Sequence, residues 1–243
     1  MKTSALTPGP NSLRFLALLG AACFTGIPPA CAGIIVSSSA SAPSTDLLAS
    51  FEVGADTNAY VWRRIGSGGL NRVEMGPSFF VPGAGMVSLQ TLTMRAREFG
   101  TAVAGSNYTL ELWSFTDALD TVGDALIDTQ AGVMPAGLAA PSYWTFDFDD
   151  ITVAAGAQYG FVLSFTDGAD SQRFVHFVQD FVNGYPGGRL VSRAGDPLNW
   201  DFGGHDLTFY VQGAPTAVPE PSSAALALAG CAGLALRRRK PRR

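Results

Sequence analysis

Short runs in which apolar and polar residues alternate limit the fold of this chain more than any other feature of the sequence. In the run 108–113, the apolar residues Tyr108, Leu110 and Leu112 occupy every second position. Alternation with a period of two indicates a β-strand that has one face in a core and the other in water. The same pattern predicts strands at 86–94, 108–115, 144–149, 159–165, 174–181 and 207–212.

Turn signals separate these runs, among them Asp167-Gly168 and Asn183-Gly184. The chain has 28 Gly and 15 Pro without a repeat period, which favours many short strands over long helices. The aspartates of 117–128 are spaced as on a helix, but Gly123 interrupts the pattern and carboxylates on one stripe would repel each other, so this segment is predicted as a loop. The predicted fold class is therefore all-β: a single, jelly-roll-like β-sandwich.

Residues 1–32 have the pattern of a secretory signal peptide. Lys2 and Arg14 supply positive charge, and the apolar stretch 15–24 is too short to span a membrane. Ala30 and Ala32 provide the small residues that signal peptidase requires, so cleavage is predicted before Gly33. A retained N-terminal anchor is the alternative.

The domain limits follow from composition. Residues 33–45 are rich in Ser and Ala and are predicted to be a linker with little to bury. Residues 46–213 hold the alternating runs and are predicted to form the β-sandwich domain. Residues 214–243 form a second linker and a terminal signal.

The terminal signal has three consecutive parts. Val218-Pro219-Glu220-Pro221 is held extended by its prolines. An apolar run of 13 residues, 224–236, is predicted to be a short membrane-inserting helix, marginal for a permanent span. A basic end would hold the helix terminus on the cytoplasmic side. Its charged residues are Arg237, Arg238, Arg239, Lys240, Arg242 and Arg243.

This arrangement over residues 218–243 resembles the PEP-CTERM sorting signal of Gram-negative bacteria. The resemblance implies that the chain is a substrate of exosortase, a membrane-embedded transpeptidase that cuts near the motif. It further implies an inner-membrane intermediate, then a cell-surface or extracellular product in an exopolysaccharide or biofilm matrix. The alternative is a plain tail anchor.

A second resemblance involves the closing segment 185–211. Its Tyr185-Pro186-Gly187-Gly188 sequence, Trp200 and final alternating strand are similar to the end of the choice-of-anchor β-sandwich domains that precede bacterial surface-sorting signals. No enzymatic activity comes with that family.

Charge and cysteine content exclude several functions. Between residues 33 and 236 there are eight Arg, no Lys and 20 acidic residues, so this part does not attract nucleic acid by counterion release. The three cysteines are Cys23, Cys31 and Cys231, all in the terminal signals. The body therefore has no disulfide, no Cys-ligated zinc and no Cys nucleophile.

A search for catalytic motifs indicates no enzyme class. The two histidines, His176 and His205, form no zinc motif, and the chain contains no serine-hydrolase elbow or phosphate-binding loop. His176 is expected on the polar face of a strand. A polysaccharide hydrolase would need only two carboxylates and stays as a remote alternative.

The remaining alternative is a carbohydrate- or calcium-binding module. Tyr185, Trp200 and Tyr210 are the candidate sugar-stacking residues. Asp147, Asp149 and Asp150 are weak candidates for a calcium site, because calcium takes several oxygen ligands. No other cofactor is expected.

Overall fold

A computed structural model describes residues 33–54, 58–66, 71–120, 122–181, 184–195, 198–201 and 205–216. These residues form β-strands and no α-helix, so the prediction of an all-β chain is confirmed. None of the described segments is a helix long and apolar enough to cross a membrane. The signal peptide, the sorting motif 218–221, the predicted helix 224–236 and the basic end 237–243 lie outside the described residues.

The strands, in chain order, are β1 (Ile35–Ser39), β2 (Leu47–Phe51), β3 (Asn58–Arg64), β4 (Arg72–Val81), β5 (Met86–Phe99), β6 (Asn107–Phe115), β7 (Ala125–Val133), β8 (Ser142–Ala154), β9 (Ala157–Phe165), β10 (Phe174–Asp180), β11 (Leu190–Gly195), β12 (Leu198–Asp201), β13 (Asp206–Leu207) and β14 (Phe209–Pro215).

Antiparallel pairing links these strands into one sheet with the order β1-β8-β5-β10-β3-β4-β9-β6-β7. The remaining strands attach along this path: β14 pairs with β5 and β2, β11 with β4 and β12, and β13 with β10. The sheet is rolled so that its two ends meet and it is nearly closed, which leaves an inner face that forms the core.

A short seam joins the two ends of the rolled sheet. The Ile34 backbone N–H donates to the Ala131 carbonyl at 3.3 Å, next to a parallel bridge between Ile34 and Gly132. The Gln130 side chain extends the seam where a further main-chain pair would otherwise stand. Its amide N–H donates to the Asp149 carbonyl, and its amide oxygen accepts from the Asp149 backbone N–H, both at 2.8 Å. Side-chain and main-chain bonds together therefore close the seam.

The core is built around aromatic side chains on the inner face. Trp62 is fully buried and stacks on Phe165 with ring centroids 3.7 Å apart, and Tyr108 meets the Trp62 ring edge-on. Trp144 is also fully buried and donates its indole N–H to the Ala139 carbonyl at 2.7 Å. Tyr108 also meets the Phe146 ring of β8 edge-on, so these contacts join β3, β6, β8 and β9 across the interior.

The predicted linker at 33–45 is wrong. Ile35–Ser39 pairs with β8, and Ile34 and Val36 are buried in the core. The serines of this segment suggested a linker, but the apolar residues that precede them supply the inward positions of the strand, and a strand needs only those positions to be apolar. The folded domain also reaches Pro215 instead of ending at 213.

Two further expectations need correction. The loop predicted at 117–128 ends earlier than expected, because β7 starts at Ala125. Strand β9, predicted to have one face in water, is buried on both faces. The outer residue Val162 lies in a second apolar cluster with Phe115 and Val191, which the β11–β12 hairpin helps to form.

Candidate functional site

The outer face of β4, β9 and β6 carries a buried charged network that sequence reasoning missed. Glu74 on β4 is 2% exposed and pairs with Arg193 on β11, with the Arg193 Nη2 and Glu74 Oε2 atoms 2.6 Å apart. The Ser164 hydroxyl donates to Glu74 Oε1 at 2.5 Å, and Arg72 reaches the same oxygen at 2.9 Å. Charged side chains this deeply buried are retained when they are paired.

Two tryptophans complete this network. Arg193 also pairs with Glu111 at 2.9 Å, and the Trp113 indole donates to Glu111 at 2.7 Å. The guanidinium carbon lies 5.6 Å from the ring centre of Trp113 and 5.5 Å from that of Trp200, within the range of cation–π attraction. Trp200, predicted as a sugar-stacking residue, is half-buried here and fastens the β11–β12 hairpin to the sheet.

Next to this network is an open pocket of about 590 Å³, the Phe80 pocket, lined by Phe80 and residues 115–118, 156–158 and 186–187. Phe80 is 42% exposed, a high value for a phenylalanine that stands beside a cavity. None of the predicted site residues lines this pocket. The one sign of this pocket in the sequence is Phe80, a phenylalanine at an outward position of β4. The strand itself was hard to recognise, because Gly76 and Pro77 interrupt its alternation.

The Gly-Gly pair after Tyr185 shapes one wall of the pocket. A Cβ at Gly188 would come within 2.0 Å of the Ser78 carbonyl oxygen on β4. A Cβ at Gly187 would come within 2.6 Å of the Tyr185 hydroxyl. The two glycines therefore let the loop lie directly against β4 under the Tyr185 ring, which explains their place after an aromatic residue.

Tyr185 itself packs inward. Its ring lies 6.0 Å from that of Phe51 and 5.2 Å from that of Phe209, and it contacts the main core. Burial raises the pKa of its phenol. The ring of this candidate sugar-stacking residue is therefore half-buried and packs against the core beside the 187–188 loop.

Tyr210 is also turned away from solvent. It is buried, and its hydroxyl donates to Glu52, which also accepts from the Tyr143 hydroxyl at 3.0 Å. Arg95 pairs with the same carboxylate at 3.5 Å. Burial, followed by the Glu52 carboxylate, raises the pKa of Tyr210 well above its usual value. This cluster ties β14 to β5 and β8.

The candidate calcium ligands do not form a cluster of three. Asp147, Asp149 and Asp150 are exposed, and Asp150 accepts from Ser88 at 2.9 Å and Gln90 at 3.4 Å. Within the described ranges, no group of three or more His, Asp or Glu side chains is placed to hold a metal ion. Asp147 and Asp149 share the outer face of β8, since Phe148 between them points into the core, but no third ligand joins them among the described residues.

The two histidines lie apart. His176 is on the outer side of β10, where its Nδ1 is 2.6 Å from Glu98 Oε1 beside a smaller pocket of about 290 Å³. Its position on the polar face is as predicted. His205 lies edge-on to the ring of Phe181 with centroids 4.7 Å apart.

Asp206 is a buried carboxylate that the sequence did not single out. It is 1% exposed, and its Oδ2 accepts the backbone N–H groups of Gly184 at 2.5 Å and Tyr185 at 2.8 Å. Among the described residues, its Oδ1 has no hydrogen-bond partner. Burial raises the pKa of this carboxyl group. Asp206 therefore anchors the loop that leads into the wall of the Phe80 pocket.

Comparison of the chain with protein-family models, with curated proteins and with solved structures found no match.

Proposed function

We propose that this chain is an exported surface protein that is cut at both ends and sorted through its PEP-CTERM signal. Signal peptidase would remove residues 1–32, and exosortase would act near Val218–Pro221 after transient retention in the inner membrane. The product would lie at the cell surface or in the medium. In this proposal the chain is a substrate of processing enzymes and not itself an enzyme.

One observation supports this proposal: the folded domain fits between the two predicted processing points. Ile34, the first residue bonded into the sheet, follows the predicted signal-peptidase bond by one residue. The last strand ends at Pro215, three residues before Val218. Both predicted cuts therefore leave every described strand intact.

The domain itself is proposed to be a structural or binding component of an exopolysaccharide matrix. We interpret the rolled sheet as a jelly-roll-like sandwich, whose inner residues pack from two sides. An acidic exterior without Lys suits a soluble extracellular component.

The intact mass of the protein recovered from its native cell surface and medium tests this proposal. We expect a chain that begins at Gly33 and ends within 218–221, and any additional mass would identify an attached group. The variant Pro219→Ala/Glu220→Ala/Pro221→Ala should accumulate in the membrane with its tail uncut. The matched variant Ser222→Ala/Ser223→Ala should be processed as the wild type.

Two results would argue against sorting. A wild-type chain that retains residues through Arg243 would make the tail a plain anchor. Equal processing of the two multiple variants would show that the prolines and the glutamate are not recognised.

A further inference from the structure

The floor of the Phe80 pocket is a single row of side chains across three neighbouring strands. Phe80 on β4 lies opposite Gln158 on β9, and Gln158 lies opposite Phe115 on β6. Residues directly opposite in antiparallel strands share one face of the sheet. An amide side chain thus stands between two phenyl rings, one of which is exposed.

The walls of the pocket are held in place before any ligand binds. The Gln158 amide donates to the Gly187 carbonyl at 2.8 Å and so fixes the 186–187 loop to the floor. On the opposite side, Asp117 accepts the backbone N–H groups of Leu119 at 2.7 Å and Asp120 at 3.0 Å. Both bonds use Oδ1, and Oδ2 of Asp117 is the oxygen that we assign to accept from a ligand hydroxyl.

The size and lining of the pocket define a class of ligand. Its volume of about 590 Å³ lies within the usual range for small-molecule sites. Most of the lining is apolar, with a few polar groups contributed by Thr116, Asp117 and Gln158. That combination suits a ring that has an apolar face and hydroxyl groups around its edge.

The charges near the pocket argue for a neutral ligand. The described residues of the lining include one carboxylate and no Arg, Lys or His. Asp120 and Asp124 lie on the adjoining loop, where Asp124 accepts from the Thr116 hydroxyl at 2.9 Å. An anionic ligand would be repelled here without a compensating cation, because like charges disfavour each other in a partly desolvated site.

We propose that the Phe80 pocket binds a neutral pyranose unit of a polysaccharide, with the sugar face against the Phe80 ring and its hydroxyls bonded to Asp117 and neighbouring polar groups. The inference rests on the proposed function in one respect: the polysaccharide comes from the cell's own matrix, where the proposed function places the protein. The pocket is open to solvent, so a unit within a longer chain can enter it without a free end.

Binding by the full chain, purified in a detergent without sugar head groups, tests this inference. The probes are neutral β-glucan, galactomannan and xylan, with the acidic polysaccharide alginate and a proline-rich peptide as comparisons. We expect binding to at least one neutral polysaccharide and none to alginate. Phe80→Ala should weaken that binding by about tenfold or more, as for other aromatic contacts truncated in a binding site.

Phe181→Ala is the matched control, because Phe181 is 55% exposed and is not part of the pocket lining. It should bind as the wild type does, and Phe80→Tyr should retain most of the affinity. Failure to bind any neutral polysaccharide, preference for alginate or the peptide, or equal binding by Phe80→Ala would overturn the inference. Each of these outcomes leaves terminal processing unaffected, so the two proposals fail separately.

Discussion

At the scale of single residues, Asp206 is an exception to the rule that charged side chains lie at the surface. One carboxylate oxygen accepts two backbone N–H groups, while the other is buried without a partner in the part of the chain that the structure describes. The backbone bonds favour the ionised form, but burial has the larger effect and raises the pKa of the carboxyl group above its ordinary value. Ionised Asp206 therefore weakens the fold while it positions the loop at 184–185.

The free energy of unfolding should show this cost as a pH dependence. A carboxyl group whose pKa is higher in the folded state binds more protons when folded, so its contribution to stability falls as pH rises above the ordinary value of 3.8. Asp206→Asn keeps an oxygen for the backbone bonds and does not ionise. We expect its stability relative to the wild type to increase between pH 4 and pH 7, measured by urea unfolding at both values.

Asp167→Asn serves as the comparison, because backbone and side-chain bonds from Asn107 lower the pKa of Asp167. Relative to the wild type, the free energy of unfolding of Asp167→Asn should decrease as pH rises, and this change should occur below the ordinary aspartate pKa of 3.8. A constant difference between Asp206→Asn and the wild type at both pH values would contradict the account of Asp206.

At the scale of elements, one cation adds to the main-chain pairing that attaches the β11–β12 hairpin to β4. Arg193 is 14% exposed and reaches two carboxylates and two indole rings, so it holds the hairpin against the outer face of β4 and β6. The hairpin in turn covers Val162, which explains why β9 is buried on both sides.

Arg193→Ala should therefore destabilise the protein strongly. Removing one partner from a buried ion pair leaves an uncompensated charge, which costs about 3–5 kcal/mol. Arg72 still contacts Glu74, so we expect the lower part of that range. Guanidinium unfolding measures the loss, and tryptophan emission should shift to longer wavelength as Trp113 and Trp200 become more exposed.

Arg97→Ala is the control, since Arg97 is exposed. It should change the free energy of unfolding by less than about 1 kcal/mol, as is usual for surface charges. Similar losses for the two variants would show that the Arg193 network does not hold the hairpin.

The sequence predicted some elements and not others for reasons that can be stated. Strands β6 and β8 were predicted because one face is buried and the other is in water, so they alternate clearly. Strand β4 was missed because it is buried almost throughout and contains Gly76-Pro77. Strand β7 was missed because, at the end of the sheet, it has no fully buried position.

The candidate site was harder to predict than the fold. The sequence indicated that aromatic residues near the C-terminus could bind sugar, but it could not show which of them face inward. Tyr185 and Tyr210 pack inward, whereas the exposed ring beside the pocket belongs to Phe80, in a strand that was not predicted. The pocket depends on register between distant strands, and no local pattern contains that information.

At the scale of the whole molecule, the domain begins earlier than composition suggested. Strand β1 covers the edge of β8, and Ile34 bonds to β7, so residues 34–39 close the rolled sheet. A domain without them would expose the edge of β8 and open one side of the core, and exposed edges promote association between chains.

Two shortened chains test this boundary. Residues 33–216 should fold cooperatively, remain monomeric and show a β-rich circular dichroism spectrum. Residues 46–213, which match the limits suggested by composition, should be less stable in urea and should associate at micromolar concentration. Equal stability of the two chains would show that β1 does not contribute to the fold.

If the chain is exported as proposed, the position of β1 sets an order of events. If signal peptidase cuts before Gly33, only one residue separates the cut bond from Ile34, which is bonded into the sheet. One residue spans about 3.5 Å, too little for a membrane-embedded protease to reach a bond that leads directly into a closed sheet. Release from the leader would then have to precede the docking of β1. The rest of the sheet would form on the outer side of the membrane with one gap remaining, and β1 would fill that gap after proteolysis frees it.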